Sequence, residues 1–191
     1  MEYKKDKDLS DYVIKKTKEI YTNNYNIFKE YFKKLNFKDT TIQKDQDNSI
    51  DVYINQIPIQ YRFQRLDNKK NCKYYPTIRY TRENSCSDNQ KDSEYFKIKN
   101  NIINKLPYPE LLIWGLVDND LNIVYLYIID ILKLFKDIDD GYYYIQGEDK
   151  TNVQDIVKGN ITKKKNSDGS SEFIILEIDD DWDCVKFKYN L

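Results

Sequence analysis

Two short polar clusters carry the residue types that could do chemistry. Asp47-Asn48-Ser49-Ile50-Asp51 holds two carboxylates four positions apart, in a stretch (45–59) with three Asp and no basic residue. Gln60-Tyr61-Arg62 follows nine positions after Asp51. On a strand of period two, Gln60 and Arg62 share one face. The chain contains no histidine. That excludes Ser-His-Asp and Cys-His couples, His-ligated zinc and any nuclease with a histidine base. What remains for chemistry is carboxylates, amides, Lys, Arg, Tyr and Cys. No glycine-rich phosphate loop of Walker or dinucleotide type is present.

Charge is segregated along the chain. Residues 1–44 hold eleven Lys and seven acids, and residues 60–105 hold eleven Lys and Arg against five acids. Residues 106–191 hold nine bases against seventeen acids, so a net charge of −1 conceals a basic front half and an acidic tail. A basic stretch flanking an acidic spot suits a polyanion bound around a metal, although solvated surface charge produces the same pattern. Arg65, Lys69, Lys70, Lys73, Arg79 and Arg82 interleave with Tyr74, Tyr75 and Tyr80. That mixture fits nucleic-acid binding by phosphate contacts and base or sugar stacking, and equally a polar loop. Asp179, Asp180, Asp181 and Asp183 follow a strand-like run and fit a solvated turn better than a cation cluster.

The elements that must position these residues are legible in the periodicity. Leu9, Tyr12, Val13 and Ile20 recur at helical spacing, and Asn24 is placed to cap a second helix carrying Ile27, Phe28, Tyr31, Phe32 and Leu35. Three extended segments follow, at 37–43, 51–54 and 57–65. In the third, Ile57, Ile59, Tyr61 and Phe63 alternate with Pro58, Gln60, Arg62 and Gln64, and Asn55-Gln56 is the turn that precedes it. Residues 66–90 read as a polar excursion. A helix is expected from about Asp92 to Asn104, with Ser93 as its cap and Pro107 and Pro109 beyond its end. Leu111–Val117 is almost wholly apolar, as a strand covered on both faces must be. Ile123–Ile129 is the next strand and a short helix follows at about 131–135. Tyr142–Ile145, Phe173–Ile178 and Val185–Tyr189 are further strands, and Lys163-Lys164-Lys165 reads as a hairpin tip.

The 191 residues suit one domain with a core that needs no staples. Cys72, Cys86 and Cys184 are odd in number and form no CxxC pair, which argues against a disulfide framework or zinc ribbon. Reduced thiols in a cytoplasmic compartment are the expectation. The first residues carry no apolar signal core and no run approaches a membrane span, so no membrane partner is expected.

The order helix, strand, strand, strand, helix, strand resembles the α-β-β-β-α-β core of the PD-(D/E)xK nuclease superfamily. Asp47-Asn48-Ser49-Ile50-Asp51 with Gln60-Tyr61-Arg62 resembles the D-x-x-I-D … Q-x-K pattern of Mrr-type restriction endonucleases. Ile59-Gln60-Tyr61-Arg62 is similar to the IQVK-like strand of intron-encoded homing endonucleases in that superfamily. The resemblance spans residues 24 to 129. It implies an α/β, restriction-endonuclease-like αβββαβ core with a mixed central sheet and a C-terminal β-rich extension: residues 1–140 form the nuclease-like core with its N-terminal helices, and 141–191 extend the same domain.

The same resemblance implies a metal-dependent DNA endonuclease using Mg²⁺ or Mn²⁺. Asp51 would hold the metal, Gln60 would offer its side-chain oxygen and Tyr61 its carbonyl. Arg62 stands where the family places a catalytic Lys, and Glu30 or Glu19 could join from the helices. DNA is the implied partner, and a homodimer suits the cutting of two strands. Two departures stand out. Gln60 is neutral, and Arg62 stays protonated and cannot accept a proton. Either Arg62 orients water or stabilises transition-state charge, or the chain is a degenerate member that binds nucleic acid without cutting. A protein-interaction or structural component is the reading from outside that class.

Overall fold

A computed structural model describes residues 14–40, 47–66, 75–82, 93–146, 159–165, 171–178 and 182–191. The chain forms a mixed α/β structure with two sheets. Helix α1 is described over residues 14–23 and α2 over Tyr25–Tyr31. Between them Asn24 makes no side-chain cap bond to α2. Its amide instead brackets a distant turn: Nδ2 donates to the carbonyls of Ile20 and Leu121, both at 2.8 Å, and Oδ1 accepts from the Ile123 amide at 2.8 Å. Helix α2 stops at Tyr31, short of the Leu35 that the apolar stripe includes. Phe32 turns extended (φ −99°, ψ 117°) and still reaches the core.

The main sheet has strand order β1-β2-β3-β5-β6-β10. Its strands are β1 (Phe37–Asp39), β2 (Val52–Ile54), β3 (Ile57–Arg65), β5 (Leu111–Val117), β6 (Ile123–Asp130) and β10 (Val185–Asn190). The first three form an antiparallel meander. Helix α3 (Glu94–Ile103) lies between β3 and β5 in the chain, and β5 runs parallel to β3. Strand β6 is antiparallel to β5, and β10 to β6. Helix α4 (Ile131–Asp139) leaves β6 directly, with the Asp130 side chain capping it by accepting from the Lys133 amide at 2.9 Å.

The second sheet has order β4-β9-β8-β7, made of β4 (Thr77–Arg82), β7 (Tyr143–Ile145), β8 (Gly159–Lys165) and β9 (Ser171–Leu176). It corrects two expectations. Strand β4 lies inside the 66–90 stretch that reads as a polar excursion. Ile78 and Tyr80 are buried while Arg79 alternates between them, too few apolar positions for periodicity to reveal. Lys163, Lys164 and Lys165 are not a hairpin tip but the end of β8, opposite Ile174, Phe173 and Glu172 of β9. The C-terminal segment is also shared out: β7, β8 and β9 join β4, whereas β10 closes one side of the main sheet.

Alternation along β5 divides the core in two. Leu112, Trp114 and Leu116 pack with α3, α4 and the second sheet. Leu111, Ile113 and Val117 pack with α1 and α2 on the opposite face. All seven residues of β5 are buried, which is why the run reads as uninterruptedly apolar. Gly115 is required there by close approach, since a Cβ would lie 2.6 Å from the Phe63 ring of β3. Among the described residues no helix is long and apolar enough to cross a membrane.

Candidate functional site

Strand β3 presents different chemistry on its two faces. Ile59, Tyr61 and Phe63 belong to the core beneath α1 and α2. Gln60 and Arg62 face the other way, towards α3 and the second sheet. Both converge on Glu94, in the first turn of α3. Gln60 Nε2 donates to Glu94 Oε1. Arg62 Nη2 donates to Oε2 at 2.8 Å and to Oε1 at 3.2 Å. The Arg79 backbone N–H of β4 donates to Oε2 at 2.8 Å. Arg62 Nη1 also reaches Thr77 Oγ1 at 3.3 Å, and the guanidinium lies 5.2 Å from the Phe173 ring centroid.

One carboxylate therefore gathers donors from β3 and β4 at the start of a helix. A negative charge in that first turn is also favoured by the helix dipole. Arg62 and Glu94 keep 19% and 18% side-chain exposure, so the pair is largely removed from solvent. Gln60 is 2% exposed, and its Oε1 has no hydrogen-bond partner among the described residues. The Gln60 Nε2 and the Arg62 guanidinium thus fasten β3 to α3, and Arg62 also ties it to β4 of the second sheet.

Asp51 lies on the opposite face. Its N–H donates to the Ile59 carbonyl at 2.9 Å, one position out of the register in which Val52 pairs with Ile59. That offset is the geometry of a β-bulge, in which two residues oppose one. Regular alternation would have set Asp51 on the Gln60 side. The bulge turns it towards α1, where a cavity of about 10 Å³ is lined by Thr17, Lys18, Tyr21, Asp39, Asp51 and Tyr61 among others. Asp51 Oδ2 accepts from the Tyr61 amide at 2.8 Å. Lys18 Nζ donates to Asp39 Oδ2 at 2.9 Å. The buried Tyr21 hydroxyl has its pKa raised well above the usual phenol value, first by burial and then by Tyr61 and Asp51.

The residues proposed as one metal centre are accordingly not brought together. Asp51 sits against α1, whereas Gln60 and Arg62 are tied to Glu94 across the sheet. The Asp51 carboxylate and the Gln60 side-chain oxygen, two of the three ligands expected for Mg²⁺ or Mn²⁺, point to opposite faces of the sheet, and the third, the Tyr61 carbonyl, lies in the strand backbone between them. Among the described residues no group of three or more Cys, Asp or Glu is placed to hold a metal ion. Glu30 is exposed on α2, and Glu19 pairs with Lys16 at 2.7 Å; neither lines the Asp51 cavity. The Lys16 partner lowers the Glu19 pKa from its ordinary value.

The expected nucleic-acid residues also separate. Arg65 is exposed at the end of β3, and Arg79 lies over Phe173 at 5.8 Å beside the Glu94 hub. Arg82 ends β4. Lys69, Lys70 and Lys73 lie outside the described residues, as do Asp179, Asp180 and Asp181.

A basic surface that the motif reading missed lies at the β1 edge. Lys33, Lys34, Lys38, Tyr53, Asn55 and Gln56 line most of an open groove of about 810 Å³, with Asn36 and Phe37 completing it. The β2–β3 turn forms one wall, with Asn55 (φ 52°) and Gln56 (φ 72°) both left-handed, as a tight hairpin turn demands. Asn55 fixes this wall to the loop after α2. Its Nδ2 donates to the Lys34 carbonyl at 2.6 Å, and its Oδ1 accepts from the Asn36 amide at 3.1 Å. Its own amide donates to the Asn36 carbonyl at 2.9 Å. The available signal was the lysine-rich first 44 residues, but their clustering depends on α2 ending before Lys33.

Compared with protein-family models, curated proteins and solved structures, the chain matches none.

Proposed function

We propose that this chain is a DNA-binding module built on a restriction-endonuclease-like core, in which the place of hydrolysis has been given over to structure. The observation that carries the reading is the path of the chain. A helix leads into an antiparallel β1-β2-β3 meander, and α3 then separates β3 from a parallel β5. Strand β4 intervenes between β3 and α3 but pairs into the second sheet, so the main sheet alone follows the αβββαβ order whose resemblance to the PD-(D/E)xK superfamily the sequence suggested. The loss of hydrolysis rests on residue placement. The face that bears Asp51 offers Tyr61 and Phe63 from β3, an aromatic pair where a second carboxylate and a lysine would be needed. Gln60 and Arg62 are engaged by Glu94 on the other side.

A second reading, Mg²⁺- or Mn²⁺-dependent DNA cleavage, is favoured by one feature: the Asp51 carboxylate lies against the β3 backbone. The test is electrophoresis of plasmid, linear duplex and single-stranded DNA with either metal, comparing the wild type with Asp51→Ala. A salt-sensitive mobility shift without nicking, unchanged in the variant, is the expected result. Nicking that Asp51→Ala abolishes would replace this proposal with the endonuclease. Neither binding nor cleavage would leave the protein-interaction reading and overturn both.

A further inference from the structure

The geometry points to the groove between the α2–β1 loop and the β2–β3 turn as a binding site for single-stranded nucleic acid. The inference rests on the nucleic-acid reading above and names the surface and the form of the ligand. Three observations carry it. First, charge of one sign is concentrated there. Lys33, Lys34 and Lys38 line the groove, and among the described residues no acidic side chain lines it and none of the three lysines forms an ion pair. The nearest acid along β1, Asp39, is bonded to Lys18. Lys29, Lys105 and Lys136 also form no ion pair among the described residues, so what sets this face apart is the convergence of three such lysines on one groove.

Second, an aromatic ring stands among those cations. Tyr53 of β2 is half-buried and sits directly opposite Lys38 in the β1–β2 ladder. Cations tracking a backbone beside a ring on which bases stack is the recognition mode of sequence-tolerant single-strand binders. Third, the groove is roomy: about 810 Å³ lies within the roughly 300–1,000 Å³ typical of ligand sites and accommodates a short run of nucleotides. Stacking on Tyr53 requires bases that are not already paired and stacked in a duplex, which favours the single strand. The walls are held in place by Asn55, so the groove exists before the ligand arrives.

The test is fluorescence anisotropy with a labelled oligothymidylate longer than about 16 nucleotides, the upper site size of one such fold. A duplex of equal length and inorganic polyphosphate serve as comparison arms. The wild type should bind the single strand more tightly than the duplex. Combined Lys33→Glu, Lys34→Glu and Lys38→Glu should abolish binding. Neutral Gln substitutions at the same three positions should flatten the dependence of log K on log salt by about 2, at roughly 0.7 per lost phosphate contact. Tyr53→Leu should weaken single-strand binding roughly tenfold, as loss of one stacked base does. Lys164→Glu, on the exposed end of β8, should change nothing, and thermal melting checks that each variant is folded.

Binding to DNA that survives the lysine reversals would overturn this inference and leave the DNA-binding proposal standing. Equal affinity for polyphosphate, with no effect of Tyr53→Leu, would reduce the groove to a non-selective anion site and also overturn it. No binding of either DNA form by the wild type would remove the underlying proposal itself.

Discussion

The hub around Glu94 and the groove beside Asn55 draw on the same materials, cations and amides, and use them in opposite ways. At the hub, Arg62 and Gln60 are turned inward onto a carboxylate and joined by a backbone N–H from β4. The Arg62 charge is neutralised there, and both side chains help to join β3 to α3 and the second sheet. At the groove, Lys33, Lys34 and Lys38 are exposed and the amide of Asn55 satisfies only backbone atoms. The charge there is left for something outside the molecule. A polar pattern in a strand is thus no evidence of a site until the acid facing it is known. Glu94 lies 32 positions from Arg62, beyond the reach of any local motif.

The comparison is sharpened first by removing Glu94. Glu94→Ala leaves the Arg62 guanidinium confined without its counter-charge. It should cost about 3 kcal/mol, between the values for exposed and fully buried pairs, read as a lower urea midpoint. Replacing Arg62 and Glu94 together by Met and Leu should restore most of that loss, because an apolar pair leaves no uncompensated charge. If Glu94→Ala were neutral in stability, the hub would not be structural and Arg62 would again be available for chemistry.

The next effect tests the face opposite the hub. Gly115→Ala places a Cβ 2.6 Å from Phe63 and should destabilise by about 1–3 kcal/mol through overpacking. Phe63→Leu in the same chain should recover part of this, measured by the same denaturation curves.

A third effect is set by pH. Cys184 is fully buried, and burial, followed by the nearby Asp137, pushes its thiol up to about 12 from an ordinary value of 9.0. The folded state therefore keeps its proton where the unfolded state has lost it. The stability this contributes is intact below pH 9 and is lost as pH rises from 9 towards 12. Thermal melts across that interval should fall, and Cys184→Ala should make the fall shallower. The thiol should also resist disulfide reagents until the protein unfolds.

The smallest effect is expected at the groove. Single Lys33→Gln, Lys34→Gln or Lys38→Gln changes should shift stability by less than about 0.5 kcal/mol, as exposed positions do. A larger loss by differential scanning fluorimetry would mean these lysines serve the fold, as Arg62 does, and would erase the contrast.

Much of the framework was legible in the residues alone. β3 and β5 occupy the residues that alternation and apolar continuity indicated, and the Asn55-Gln56 turn lies where local residue chemistry placed it. These signals are local: a two-residue period, an apolar run, a residue tolerant of positive φ. Strand β4 escaped because its order depends on β9, nearly a hundred residues later, which pairs with it. The residues expected at a metal centre are parted for a similar reason. A single out-of-register hydrogen bond, Asp51 to Ile59, reversed the face on which the aspartate lies.

Sequence by itself determined what this protein's chemistry could be made from and where the strands and helices with a strong local pattern would form. Without histidine, only carboxylates, amides, Lys, Arg, Tyr and Cys were open to it. Tertiary structure alone decided which of those groups meet. Side-chain direction follows from register, and the neutralisation of Arg62 but not of Lys38 follows from what the fold lays against each. Both depend on pairings between residues far apart in the chain, which no reading of neighbours along it can supply.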